Sequence, residues 1–305
     1  MTAMNQSQPP HGLLLTKEEL APKVHRYVFR APDIARRRKP GQFVIVRLGE
    51  GGERIPLTIA DADAAAGTIT LVVQEVGRTT AEMACALEPG MKVADLVGPL
   101  GNPTHIEKFG RVVVVGGGIG VAPVHPIAQG MKAAGNEVIA VIGARNKDLL
   151  IMEDEMRKAS DRLVVMTDDG SDGQKGFVTD AVKAEAQKGK IDLVLAIGPM
   201  VMMRAVSNLT RELGIPTMVS LNAVMIDGTG MCGGCRATVG GKTRFVCVEG
   251  PEFDGHQVDF DELMRRQRFY AGDEKASYAA FSEAHARDPQ SCQMLRLADA
   301  AKKTD

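Results

Sequence analysis

Three of the five cysteines fall in one glycine-rich stretch. It reads Asp227-Gly-Thr-Gly-Met-Cys232-Gly-Gly-Cys235, with Cys247 after eleven intervening residues. Clustered thiols in a chain expected to be cytoplasmic point to metal binding rather than disulfides. A plant-type 2Fe–2S site reads Cys, four residues, Cys, two residues, Cys, then a distant Cys. Cys232, Cys235 and Cys247 stand in the last three positions of that register, and Asp227 occupies the first. The glycines at 228, 230, 233 and 234 let the backbone wrap a cluster and aim N–H groups at its sulfides. Zinc held by three Cys and one Asp uses the same donors, and three thiols packed without metal form a third reading. Cys85 reads as a packed helix residue and Cys292 as incidental, since neither has such neighbours.

A second chemistry-bearing segment is Gly116-Gly117-Gly118-Ile119-Gly120, which follows the apolar run Val112 to Val115. Bare backbone N–H groups at a helix N-terminus can hold a pyrophosphate there. A ligand-free tight turn is the alternative explanation for the glycines. The run departs from G-x-G-x-x-G, because Val121-Ala122-Pro123 follows it, and Pro123 fits a first helical turn. The second strand ends in Gly143-Ala144-Arg145, without the usual ribose-binding carboxylate. Any nucleotide must therefore be bound by another scheme.

The elements that position these segments come in two patterns. From Gly12 to about His105, short β runs alternate with turns such as Lys39-Pro40-Gly41 and Glu88-Pro89-Gly90. Lys23–Arg30, Gln42–Leu48, Thr68–Glu75 and Lys92–Val97 read as strands of a small antiparallel barrel, interrupted by a helix over Thr79–Leu87. After Arg111 the strands are apolar throughout. Val112–Val115, Glu137–Ile142, Arg162–Thr167 and Asp192–Ile197 alternate with helical patterns, which predicts a parallel sheet covered on both faces. Asn222 to Gly255 is too short to build its own core. The tail from Gln257 is polar and reads as helical with no clear amphipathic stripe. The expected division is 9–107, 108–221, 222–256 and a helical tail, 257–305.

Composition narrows the function classes. A net charge of −1 gives no bulk attraction to nucleic acid or anionic membranes. Trp is absent and Tyr occurs three times, which leaves little for an aromatic nucleic-acid platform. No apolar run reaches the roughly 20 residues of a membrane span. The polar stretch from Met1 to Pro10 predicts no signal peptide and a cytoplasmic protein.

Arg54-Ile55-Pro56-Leu57-Thr58 is a poor signal alone, but it precedes the glycine turn and the cysteine cluster in order. Barrel, nucleotide domain and 2Fe–2S module in that order resemble the ferredoxin–NADP reductase superfamily. Over about residues 12 to 256 the chain is similar to electron-transfer subunits of dihydroorotate dehydrogenase B. It is more similar still to small subunits of NADH-dependent ferredoxin:NADP oxidoreductase, in which Asp marks the first cluster position.

The resemblance implies FAD on the barrel, held by Arg54, Pro56, Leu57, Thr58 and Val73. Gly77, Arg78, Thr79 and Thr80 would take its diphosphate at a helix start, where charge and free N–H groups favour anions. The nucleotide would meet Gly117, Gly118, Ile119, Gly120, Ala144, Arg145 and Asp168, with Gly198, Pro199 and Met200 at the nicotinamide end. Thr167–Ser171 and Gly176–Asp180 also match family segments. Asp227, Cys232, Cys235 and Cys247 would ligate the cluster. The implied activity is hydride transfer from NAD(H) to flavin and single-electron transfer to the cluster. The implied partner is a larger subunit with its own flavin and 4Fe–4S clusters, and ferredoxin indirectly. Arg145 and Lys147 leave NADP open, although relatives with a similar stretch use NADH. The dihydroorotate branch and a non-catalytic subunit with a structural metal are the rival expectations.

Overall fold

The computed structural model describes residues 10–288, so Cys292 and the rest of the tail lie outside the described residues. The first domain is an antiparallel sheet in the order β1-β2-β5-β4-β3-β6. Its strands are β1 (Leu14–Ala21), β2 (Val24–Arg30), β3 (Phe43–Arg47), β4 (Ile55–Asp63), β5 (Thr68–Gln74) and β6 (Asp95–Leu100). A bridge between Leu13 and Lys92 draws the two edges of the sheet together. Alternation sends Tyr27, Phe29, Ile69 and Leu71 inward, where α1 (Pro32–Arg37) and α2 (Arg78–Ala86) add Ile34 and Met83.

The sequence reading did not name β1, and at two further strands, β4 and β6, the difference involves a proline. Residues 55–58 are the first half of β4, paired with β3, while residues 59–63 pair with β5. Pro56 sits where the strand has a partner on one side only, so its missing N–H breaks no ladder. β6 begins at Asp95 rather than Lys92 and runs through Pro99, which an edge strand tolerates.

The second sheet has the order β10-β9-β8-β7-β11-β12-β15 and is parallel except for its last pair. It comprises β7 (Arg111–Gly117), β8 (Glu137–Ala144), β9 (Arg162–Thr167), β10 (Gln174–Lys175), β11 (Leu193–Ile197), β12 (Thr217–Ser220) and β15 (Glu252–Asp254). Val113 and Val115 face one core, shared with α5 (Val178–Lys188) and α6 (Met200–Glu212). Val112 and Val114 face the other, shared with α3 (Val121–Ala133) and α4 (Glu153–Ala159). Burial on both faces explains why these strands read as continuous apolar runs. Strand order reverses at β7, because β8 and β11 flank it. The crevice at such a switch point is where open α/β sheets bind ligands.

The cysteine-bearing segment is sewn into both neighbours. It contributes β13 (Arg236–Val239), β14 (Lys242–Phe245), α7 (Val246–Glu249) and the closing strand β15. The expected boundary at 256 is crossed. α8 (Phe260–Arg268), capped by Asp259, buries Phe260 and Leu263 in the core that holds Cys235 and Cys247. The first part of the tail therefore does carry an apolar face. The second helix, α9 (Ala271–Arg287), buries no residue.

Glu252 lies where the barrel meets β15, and its Oε1 accepts from the Thr104 hydroxyl at 2.5 Å. Burial pushes its carboxyl up to about 7, against the pull of that hydrogen bond. A carboxyl that ionises later in the folded chain than in the unfolded chain costs stability as pH rises. The loss runs from the ordinary value of 4.5 to about 7. Glu252→Gln should flatten the fall in melting temperature between about pH 5 and 8, raising stability at the upper end by on the order of 2 kcal/mol. Thermal unfolding across that range would show it, and a profile unchanged by the substitution would place Glu252 in water.

Candidate functional site: a two-domain cleft leading to a cysteine loop

A cavity of about 970 Å³ lies between the sheets, at the upper end of the range for cofactor sites. Pro56, Leu57 and Thr58 of β4 and Val72 and Gln74 of β5 line the barrel side. The opposite side is built by Gly117, Gly118, Ile119, Gly120, Ala144, Arg145, Asp168, Gly198 and Pro199. The glycines are there because backbones touch. A Cβ on Gly120 would lie 2.1 Å from the Ile197 carbonyl oxygen, and one on Gly198 would lie 3.0 Å from that of Gly117. This bare seam opens the N-terminus of α3, where N–H groups and the helix dipole favour a phosphate. A flat apolar barrel wall facing a phosphate-binding turn fits a flavin and a nicotinamide nucleotide laid together.

Several expected residues stand elsewhere. Val73 is buried inside the barrel, because the period of two along β5 turns its neighbours Val72 and Gln74 to the cleft. Met200, the first residue of α6, is packed into the core. Gly77, Arg78, Thr79 and Thr80 start α2 as expected, outside the cleft lining. There Thr80 Oγ1 accepts from the Val76 and Gly77 amides at 2.9 and 3.0 Å. The Thr79 hydroxyl donates to Glu53, and Arg78 pairs with Glu82. Arg54 also lies outside the cleft lining: its Nη1 donates to Asp95 and its Nε to the Ile226 carbonyl, each at 2.9 Å. Val76 and Phe177 stand exposed along the cleft. Phe177 belonged to a matched segment, whereas nothing in the sequence marked Val76, Glu53 or Asp95.

The cysteine loop holds its four candidate ligands as two pairs. Cys232 Sγ donates to Asp227 Oδ1 at 3.4 Å, and Cys235 and Cys247 sulfurs are 3.3 Å apart. Gly228, Gly230 and Gly233 all take positive φ, which a side chain would oppose. Amide N–H groups already point at sulfur: Gly234 to Cys232 and Cys247 to Cys235, each at 3.4 Å. Asp227 also organises the loop, accepting from the amides of Thr229, Met231 and Cys232 at 3.0–3.1 Å. Burial works against its ionisation, yet the hydrogen bonds from Thr229 and Cys232 hold the carboxyl down at about 2. Burial, then the Cys235 hydrogen bond, pushes the Cys247 thiol up to about 12. Among the described residues no group of three or more His, Cys, Asp or Glu side chains is gathered to hold a single ion. Two separate pairs suit two bridged metal atoms, with two protein ligands each.

Fold and site together define an oxidoreductase with a nucleotide-binding domain and an iron–sulfur-binding segment. Residues 222–259 match the iron–sulfur cluster binding domain of dihydroorotate dehydrogenase B, and residues 114–208 match the oxidoreductase NAD-binding domain. A dihydroorotate dehydrogenase B (NAD(+)) electron transfer subunit homolog of Thermotoga maritima is 48% identical over 280 residues, spanning 92% of this chain and 96% of that one. The corresponding subunit of Desulforamulus reducens is 34% identical over 78% of this chain and 94% of its own. The chain belongs to this family of electron-transfer subunits and their homologues. A solved chain of NADH-dependent reduced ferredoxin-NADP oxidoreductase, determined for insight into flavin-based electron bifurcation, is 47% identical. It superposes with a TM-score of 0.85, covering 90% of this chain and 99% of that one. An Amycolatopsis cytochrome P450 reductase, 22% identical with a TM-score of 0.57 over 66% of this chain and 65% of its own, shares the fold alone. Among the described residues no helix is long and apolar enough to cross a membrane.

Proposed function

We propose that the chain is the FAD- and 2Fe–2S-carrying subunit of an electron-bifurcating ferredoxin:NADP oxidoreductase, working with NAD(H) and a larger flavin and 4Fe–4S subunit. Continuity carries this reading: Ala223 and Met225 line the cleft, and Asp227, two residues on, opens the cysteine loop. When bound, flavin exchanges a hydride with the nicotinamide and passes electrons singly to the cluster.

The chain's own residues do the rest. Pro56, Leu57 and Thr58 would present the open edge of β4 to the flavin ring. Gly117, Gly118, Ile119 and Gly120 would seat the nucleotide diphosphate on the N-terminus of α3, while Gly198 and Pro199 leave room for the nicotinamide beside the barrel. Asp227 with Cys232 would take one iron, and Cys235 with Cys247 the other. Their separation into pairs supports a 2Fe–2S cluster over zinc. Asp227, where the dihydroorotate branch has Cys, supports the ferredoxin:NADP branch. The match of residues 222–259 keeps the dihydroorotate assembly as the second reading. Copurification with an FMN barrel protein would favour it.

Arg145 and Asp168 both line the nucleotide side, so a 2′-phosphate would meet opposed charges there. NADH is therefore the expected donor. The purified chain should be yellow, hold close to two irons, and bleach faster with NADH than with NADPH at equal concentration. A tenfold preference for NADPH, about 1.4 kcal/mol in transition-state binding, would overturn the NAD assignment. A colourless, iron-free chain would overturn the whole reading.

A further inference from the structure

Arg54 belongs to a small charged assembly on the barrel wall. Arg47 and Asp95 are cross-strand partners on β3 and β6. Asp95 Oδ2 accepts from Arg47 Nε at 2.6 Å and from Arg54 Nη1 at 2.9 Å. The remaining side of the Arg54 fork reaches across to the cysteine loop, donating from Nε to the Ile226 carbonyl at 2.9 Å. We propose that Arg54 is a positioning residue for the cluster, clamping the loop that carries Asp227 onto the barrel with Asp95 and Arg47 as its anchor.

The inference rests on the cluster reading above. The Ile226 carbonyl and the Asp227 nitrogen belong to one peptide group, so the hydrogen bond fixes the plane from which the Asp227 side chain departs. A planar guanidinium held at two points transmits direction as well as charge, which a lysine ammonium cannot. An independent contact marks the same docking point. A Cβ on Gly228 would lie 2.7 Å from Leu100 Cδ1 and 3.1 Å from Ile45 Cγ1, so the loop lies flat on β3 and β6 immediately after Asp227. Two guanidiniums on one carboxylate also leave a net positive charge beside this ligand. Nearby positive charge favours the reduced, more anionic cluster.

Arg54→Gln, Arg54→Lys and Asp95→Asn would be made in the full chain, with flavin content, iron content, iron release to a chelator and cluster midpoint potential measured. Arg54→Gln should keep its flavin, release iron about tenfold faster or more, and lower the potential. Asp95→Asn, which frees Arg54 without removing it, should also speed release. Arg54→Lys should speed release but hold the potential near that of the unaltered chain. Loss of flavin with unchanged iron release and potential would make Arg54 a flavin ligand and overturn the clamp. No change in any readout would overturn it equally. An unaltered chain that lacks iron would instead show the failure of the cluster reading, and the clamp would fall with it.

Discussion

Cys232→Ala is expected to leave the purified chain with little iron while its flavin remains. Cys232 is the exposed member of the Asp227 pair, and a carboxylate left alone cannot hold an iron whose other protein ligand has been removed. Asp227→Cys should behave in the opposite way, keeping a cluster but moving its potential and altering its EPR signal. Carboxylate oxygen is a harder ligand than thiolate, so exchanging them changes the electronics of the iron they bind. The structure sharpens the alternative, because Asp227 already accepts from three loop amides and the Thr229 hydroxyl. If capping were its whole role, Asp227→Asn would leave the EPR signal unchanged, and the ligand assignment would have to be dropped.

The second large effect is expected at the glycine seam. Gly120→Ala would drive a methyl to within 2.1 Å of a backbone carbonyl that cannot retreat without parting β11 from β7. A cost of about 1–3 kcal/mol in stability follows from overpacking alone. NADH-dependent bleaching should fall at least tenfold, about 1.4 kcal/mol. Gly135→Ala, just past the C-terminal end of α3 and outside the cleft lining, is the contrast. Its φ of +83° is unfavourable for a side chain, but nothing stands within 4 Å of the added Cβ. A cost of about 1–2 kcal/mol with little change in NADH reactivity is expected there. Thermal unfolding beside an NADH titration separates the two, and equal losses of reactivity would show that the seam does not shape the nucleotide site.

Much of this was legible from the residues. The apolar run Val112–Val115 announced β7, and β9 spans the anticipated Arg162–Thr167, because strands buried on both faces carry an unbroken signal. The strand-to-helix turn at the glycines was equally plain, since it is dictated by the local backbone. What escaped was set by tertiary partners. Val73 was assigned to the flavin side although pleat parity turns it inward, and parity depends on where β5 pairs. Pro56 concealed half of β4, since a strand proline is tolerated only where a neighbour is missing. Asp95 showed nothing of its role, because two arginines reach it from 41 and 48 residues away. Strand β15 has three residues and no periodicity of its own; only the waiting edge of β12 makes it a strand.

That last strand ties the chemistry of the protein to the order of its synthesis. As the chain emerges from the ribosome N-terminus first, β12 presents an unpaired edge until Glu252–Asp254 arrives to pair with it. All four candidate ligands, Asp227 through Cys247, precede those residues and so are exposed before the sheet can close. The nascent nucleotide domain thus cannot reach its finished form ahead of the cysteine loop.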